Sequence, residues 1–104
     1  MINNITIISF DNYNINIDYN IIKKINFLHL LIEDKKYIFE KIKIHYKFCT
    51  LFNLNLILNF FNNNKYNIDD LNINEKKELF LCANFLDIPD YLNFISNNII
   101  NIYI

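Results

Sequence analysis

The sequence predicts an α+β fold, in which a small three-stranded sheet packs with about five helices. Three short segments alternate apolar with polar residues, which is typical of half-buried strands. The longer segments repeat apolar residues at intervals of three and four, which is typical of amphipathic helices. The segment order is strand-strand-helix-helix-strand, then three helices. With 104 residues, the chain is interpreted as one domain, 1–104.

The first two strands are predicted as a β-hairpin. Residues 5–10 are rich in β-branched side chains, residues 11–12 supply turn formers, and Ile15 and Ile17 alternate with polar neighbours. The third strand is predicted over residues 37–44, where isoleucines occupy one face and lysines the other. This hairpin and the third strand form the predicted sheet.

Apolar residues at intervals of three and four also occur between the strands and after them. Residues 19–33 predict two short helices with Asn26 as a cap between them, and an apolar stripe over residues 51–61 predicts a longer one. Residues 68–73 are interpreted as a polar-rich connector.

Two further helices are predicted near the end of the chain. Asn74, followed by Glu75, is the predicted cap of the first, whose apolar side carries Leu79, Cys82, Ala83 and Leu86. Pro89 is predicted in the first turn of the second. Its apolar stripe is Leu92, Ile95, Ile99 and Ile102.

The composition argues against several classes of function. The chain contains 22 Ile and 21 Asn, a skew that fits an AT-rich coding genome, so isolated asparagines are not interpreted as binding groups. The net charge of −1 argues against binding to nucleic acid or to a membrane surface, since both require a basic face. No apolar run reaches the roughly 18 residues of a membrane span. Without glycine, a phosphate-cradling loop is not expected either.

The reactive side chains do not predict an active site. Cys49 and Cys82 lie in apolar helical patterns and are interpreted as reduced and buried, in a cytoplasmic or nuclear protein. His45 would share a helix face with Cys49, but a thiol in apolar surroundings is a poor nucleophile. Asp69, Asp70, Glu75 and Glu78 are interpreted as solvated charges. We therefore expect no enzyme, no metal site and no cofactor.

One segment matches a known signature. Residues 83–87, Ala-Asn-Phe-Leu-Asp, are similar to the signature of elongin C, and residues 88–92 continue as in the S-phase-kinase-associated adaptor of SCF ubiquitin ligases. Residues 56–61 and 65–68 resemble the segment of the same superfamily that carries a Tyr-Thr-Gly-Lys turn, with Asn64 in place of its glycine. The chain thus resembles the BTB/POZ superfamily, and the specific likeness covers residues 56–92.

The resemblance implies a BTB/POZ-like fold and a protein-interaction adaptor, bridging a cullin scaffold and the helical box of a substrate receptor in a ubiquitin ligase. It implies that Asn84 and Phe85 face the cullin. The implied lining of the receptor pocket is Tyr66, Ile73, Leu79 and Ile88. The biased composition also permits a viral or parasite mimic, acting in the host cell.

The resemblance is incomplete at both ends. The extra C-terminal helices that grip F-box proteins are missing, so the resemblance does not extend to F-box binding and leaves open whether the chain binds F-box proteins. The N-terminal elements that many BTB transcription factors exchange are also missing, so an obligate strand-swapped homodimer is not expected. The alternative function is a BTB-type oligomerisation module that does not bind a cullin.

Overall fold

The computed structural model describes residues 4–33, 41–62 and 68–103. Its sheet has three strands: β1 (Asn4–Ile8), β2 (Asn14–Asp18) and β3 (Ile42–Lys43). The order is β2-β1-β3, with β1 antiparallel to β2 and parallel to β3. The predicted hairpin and the predicted third strand are therefore both part of the sheet.

Five helices accompany the sheet among these residues, which confirms the predicted α+β class. They are α1 (Tyr19–Ile22), α2 (Asn26–Glu33), α3 (Leu51–Phe61), α4 (Ile73–Leu86) and α5 (Pro89–Tyr103). A single turn of 3-10 helix at Ile68–Asp70 precedes α4. This turn corrects the prediction of a polar connector, because Ile68 and Leu71 are both buried.

The turn of the hairpin is tied to β3 by a lysine. Asn12 adopts a left-handed conformation with φ of 70°, which asparagine tolerates better than most residues. The ammonium group of Lys43 donates to the carbonyl oxygens of Ser9 (2.6 Å) and Phe10 (3.0 Å) and to the Oδ1 atom of Asn12 (2.6 Å). A tight turn without glycine is thus held by a cation supplied from another strand.

Asp11 connects the same turn to α3. Its carboxylate accepts a hydrogen bond from the Ser9 hydroxyl (2.6 Å) and one from the backbone N–H of Leu51 (3.0 Å). Burial by itself would raise the pKa of Asp11, but these hydrogen bonds outweigh it and hold the pKa below its ordinary value of 3.8. The ionised form of Asp11 is therefore the one that the fold favours.

Within the part of the chain that the structure describes, the third strand is shorter than the sequence predicts. Ile42 and Ile44 are buried and Lys41 is exposed, as the alternation predicts. Residues 37–40 of the predicted strand lie outside the described residues.

The start of α4 differs from the prediction by two residues. Its cap is Asn72, not Asn74, which lies inside the helix. The Asn72 side chain accepts from the N–H of Glu75 at 2.8 Å, and the Glu75 carboxylate accepts from the N–H of Asn72 at 2.9 Å. This reciprocal capping box identifies Asn72 because the glutamate must stand three residues after the cap.

The buried face of the sheet and the inner sides of the helices form one core. The sheet contributes isoleucines from β1 and β2, while the outer positions of β2 are exposed asparagines and an aspartate, so the helices cover one face only. The fully buried residues of α4 are Leu79, Cys82, Ala83 and Leu86, as predicted. Among the described side chains of α5, the largest buried one is Tyr91, which the predicted stripe omitted. Within the predicted stripe, Ile95 is buried and Leu92 is half-buried, while the side chains of Ile99 and Ile102 are not among those that the structure describes.

Candidate protein-interaction surface

Four aromatic side chains form a row at the surface, which we call the aromatic row: Phe27, Phe85, Tyr46 and Phe48. The ring centroids of Phe27 and Phe85 are 4.8 Å apart. Phe85 stacks on Tyr46 with centroids 4.6 Å apart and ring planes 8° apart, and Tyr46 meets the edge of Phe48 at 5.5 Å. All four side chains are half-buried, so each contributes both to packing and to the accessible surface.

The periodicity of α4 places Phe85 in this row. Cys82, Ala83 and Leu86 point into the core and have no exposed surface. Asn84 consequently faces solvent, and Phe85 lies at the boundary between the core and the surface. The two residues singled out by the signature are therefore adjacent and at least partly accessible.

The left-handed residue that ends α4 fixes the neighbouring helix. Asp87 has φ of 55°, and its carbonyl oxygen accepts from the N–H of Asn26 at 3.2 Å. The Asn26 side chain donates to the Asp87 carboxylate, also at 3.2 Å. Because Phe27 follows Asn26, this paired contact sets Phe27 against Phe85. Asn26, predicted as a cap, is the first residue of α2 and joins two helices.

The rim of the aromatic row carries apolar and charged groups. Leu30, one turn beyond Phe27, is 67% exposed, and Leu81, one turn before Phe85, is 38% exposed. The ammonium group of Lys47 lies 4.8 Å from the centroid of the Phe48 ring, within the range of a cation–π contact. Aromatic residues are enriched at protein interfaces, so the aromatic row with its exposed leucines is a candidate protein-binding surface.

Of the residues implied as a receptor pocket, the three that the structure describes do not form a pocket at the surface. Ile73, the first residue of α4, is 52% exposed. Leu79 and Ile88 have no exposed surface, so in this structure they are core residues that a partner does not reach. Tyr66 lies outside the described residues.

His45 and Cys49 do not share a helix face, although their spacing would allow it. Residues 44–50 are irregular, and α3 begins only after the cap Thr50. His45 is exposed, whereas Cys49 is buried and lies beside Cys82 with the two sulfur atoms 3.5 Å apart; both thiols are free. Within the described ranges, no three His, Cys, Asp or Glu side chains are grouped so as to hold a metal ion.

A second aromatic cluster joins α3 and α5. The Phe60 ring lies 5.1 Å from that of Tyr91 and 5.0 Å from that of Phe94. The buried Tyr91 hydroxyl has no hydrogen-bond partner among the described residues, and its desolvation, together with the nearby Cys82, raises its pKa. Tyr91 is buried, Phe60 is half-buried and Phe94 is 36% exposed, so this cluster runs from the core to the surface.

Sequence reasoning did not find three of the four members of the aromatic row. Phe27, Tyr46 and Phe48 lie far apart in the chain, two of them in an irregular segment without periodicity. The neighbouring Asn26–Asp87 contact joins residues 61 positions apart, so no local pattern indicates it.

No model of a protein family matches the chain, and no curated protein matches it. Among the helices in the described part of the chain, none has the length and apolar character required to span a membrane.

Proposed function

We propose that this chain is a protein-interaction adaptor of BTB/POZ type, which bridges a cullin scaffold and a substrate receptor in a ubiquitin ligase. The observation that carries the proposal is the position of the signature residues. Asn84 is exposed, and Phe85 lies within the aromatic row. A rigid aromatic anchor beside an exposed amide is the arrangement expected at the centre of a binding surface.

The packing of Phe85 favours a preformed surface. Its ring is held between Phe27 and Tyr46, so little side-chain entropy remains to be lost when a partner binds. The amide of Asn84 supplies a donor and an acceptor next to this apolar area. Together they match an amphipathic helix of the scaffold, which would present apolar anchors between polar flanks.

The receptor contact is proposed at the opposite end of α4. Of the four residues implied by the resemblance, Ile73 is the one with exposed side-chain surface among the described residues. A receptor helix would therefore meet the first turn of α4 while the scaffold occupies its last turns. The two partners would then bind without overlap, as bridging requires.

The test measures binding of a purified cullin to the wild-type full chain and to three variants. Asn84→Arg should weaken binding about 30-fold or more, as expected at the centre of an interface. The matched control is Asn93→Arg, the same change at an exposed position of α5, which should bind like the wild type. Phe85→Ala should also lose binding. Because the Phe85 ring contributes to packing, circular dichroism is used to confirm that this variant is folded.

The outcomes separate the adaptor from the oligomerisation module. Absence of cullin binding by the wild-type chain at low salt would overturn the adaptor proposal. A molar mass that rises with protein concentration in light scattering, without cullin binding, would favour the oligomerisation module. Ile73→Asp should reduce capture of a receptor-box peptide and leave cullin binding unchanged; equal loss of both would contradict the separation of the two surfaces.

A further inference from the structure

Two buried thiols from distant parts of the chain meet in the core. Cys49 immediately precedes the cap of α3, and Cys82 lies in the middle of α4. Both are fully buried, and the Cys82 thiol donates to the sulfur atom of Cys49 across 3.5 Å. Neither thiol takes part in the proposed binding surface, and the fold does not require a reactive pair at this place.

The backbone on both sides holds the sulfur atoms in position. The N–H of Cys49 donates to the carbonyl of Tyr46, and its carbonyl accepts from the N–H of Phe10, both at 2.9 Å. Cys82 is held within a helix whose neighbours Leu79 and Ala83 are fully buried. The pair is thus fixed by a hairpin turn, an irregular segment and a helix.

We infer that Cys49 and Cys82 form a latent disulfide, which closes within the folded protein when it meets a peroxide. The bond length of a disulfide is about 2.05 Å, so the sulfur atoms need to approach by about 1.5 Å. The site is a modification site for a small two-electron oxidant, since only a small molecule enters a core in which both residues are fully buried.

The reaction balances with one molecule of hydrogen peroxide. One thiol, as the thiolate, attacks a peroxide oxygen; the O–O bond breaks, and a sulfenic acid and water form after proton transfer. The second sulfur then attacks the sulfenic sulfur, the S–OH bond breaks, and a second water leaves. Both sulfur atoms lose one electron each to the peroxide, and the S–S bond forms.

The environment makes this a slow reaction. The contact with Cys49, followed by burial, raises the pKa of Cys82, so its thiolate is scarce at neutral pH. Oxidation then follows the brief openings that admit peroxide to the core. Once formed, the bond cross-links the start of α3 to α4.

The test uses the purified full chain in native buffer with hydrogen peroxide. Samples are taken at successive times, denatured, treated with N-ethylmaleimide and analysed by mass spectrometry. The expected result is the loss of both alkylation sites, with a mass lower by two hydrogen atoms and a linked peptide pair containing Cys49 and Cys82. A thiol reductant should restore both sites, and the oxidised monomer should melt at a higher temperature than the reduced one.

Single-cysteine variants provide the control. Cys49→Ala and Cys82→Ala should each gain oxygen on the remaining sulfur and never lose two hydrogens. At a peroxide dose that links the denatured chain, the inference would be overturned by wild-type protein that gains oxygen on separate cysteines or that keeps both alkylation sites. A linked form that melts below the reduced one would also overturn it, because the bond would then be incompatible with the fold.

Discussion

The substitution Leu79→Ala tests whether this position belongs to the core or to a partner-binding pocket. Leu79 is fully buried on the inner side of α4, whereas the resemblance to BTB/POZ proteins implies a place in a receptor pocket. A pocket residue would lose binding and little stability when truncated. A core residue would lose stability first.

The expected loss follows from the atoms removed. Leucine to alanine removes three carbons from the core, which costs about 2.4 kcal/mol at roughly 0.8 kcal/mol for each buried group. The unfilled cavity adds to this, giving a total of about 3 kcal/mol. For a chain of 104 residues, such a loss lowers the melting temperature by about 12 °C.

Ile73→Ala is the matched control, since it also truncates an aliphatic side chain in α4. Ile73 is 52% exposed, so this change should cost less than about 1 kcal/mol, part of which the better helix propensity of alanine offsets. Both free energies of unfolding are measured by urea denaturation at neutral pH. Equal losses for the two variants, or a loss below about 1 kcal/mol for Leu79→Ala, would refute the assignment of Leu79 to the core.

Three other predictions concern helix ends and one carboxylate. Asn72→Ala should destabilise the protein by about 1 kcal/mol in urea denaturation, and adding Glu75→Ala should cost less than the sum of the single changes, because the two groups cap each other; full additivity would contradict the capping box. Asp87→Gly should be more stable than Asp87→Ala by about 1 kcal/mol, since φ of 55° favours glycine; the reverse order in thermal melts would argue against a left-handed residue there. The depressed pKa of Asp11 contributes stability that is present above its ordinary value of 3.8 and is lost as the pH falls through the folded-state pKa. Asp11→Asn should flatten this acid-dependent loss, and an unchanged pH profile would exclude the contribution.

The local patterns of the sequence predict most elements of this fold. The alternation of apolar and polar residues predicts β1, β2 and the inner face of β3. The apolar stripe of α4 predicts the four buried residues of that helix. These predictions succeed because burial on one face imposes the period of the element on the sequence. The sequence-based prediction places the cap of α4 two residues too late, at Asn74, because Asn74 has the same side chain as Asn72. Only the spacing to the partner Glu75 distinguishes the two residues.

The candidate binding surface is harder to predict from local sequence patterns. The signature residues Asn84 and Phe85 are found from a continuous stretch of chain, but the rings that flank Phe85 come from α2 and from the irregular segment before α3. The meeting of Cys49 with Cys82 is similar, since 33 residues separate them. Contacts of this kind depend on how elements pack, and periodicity within an element does not encode them.

The central position of β1 has a consequence for the order of folding. Its hairpin with β2 closes a loop of residues 9–13, while its pairing with β3 closes residues 9–41, which costs about 1.7 kcal/mol more in loop-closure entropy. We expect the hairpin to form early and β3 to dock late. Until β3 docks, one edge of β1 is unpaired and the carbonyls of Ser9 and Phe10 lack their contact with Lys43, so a second copy of the chain can pair with that edge.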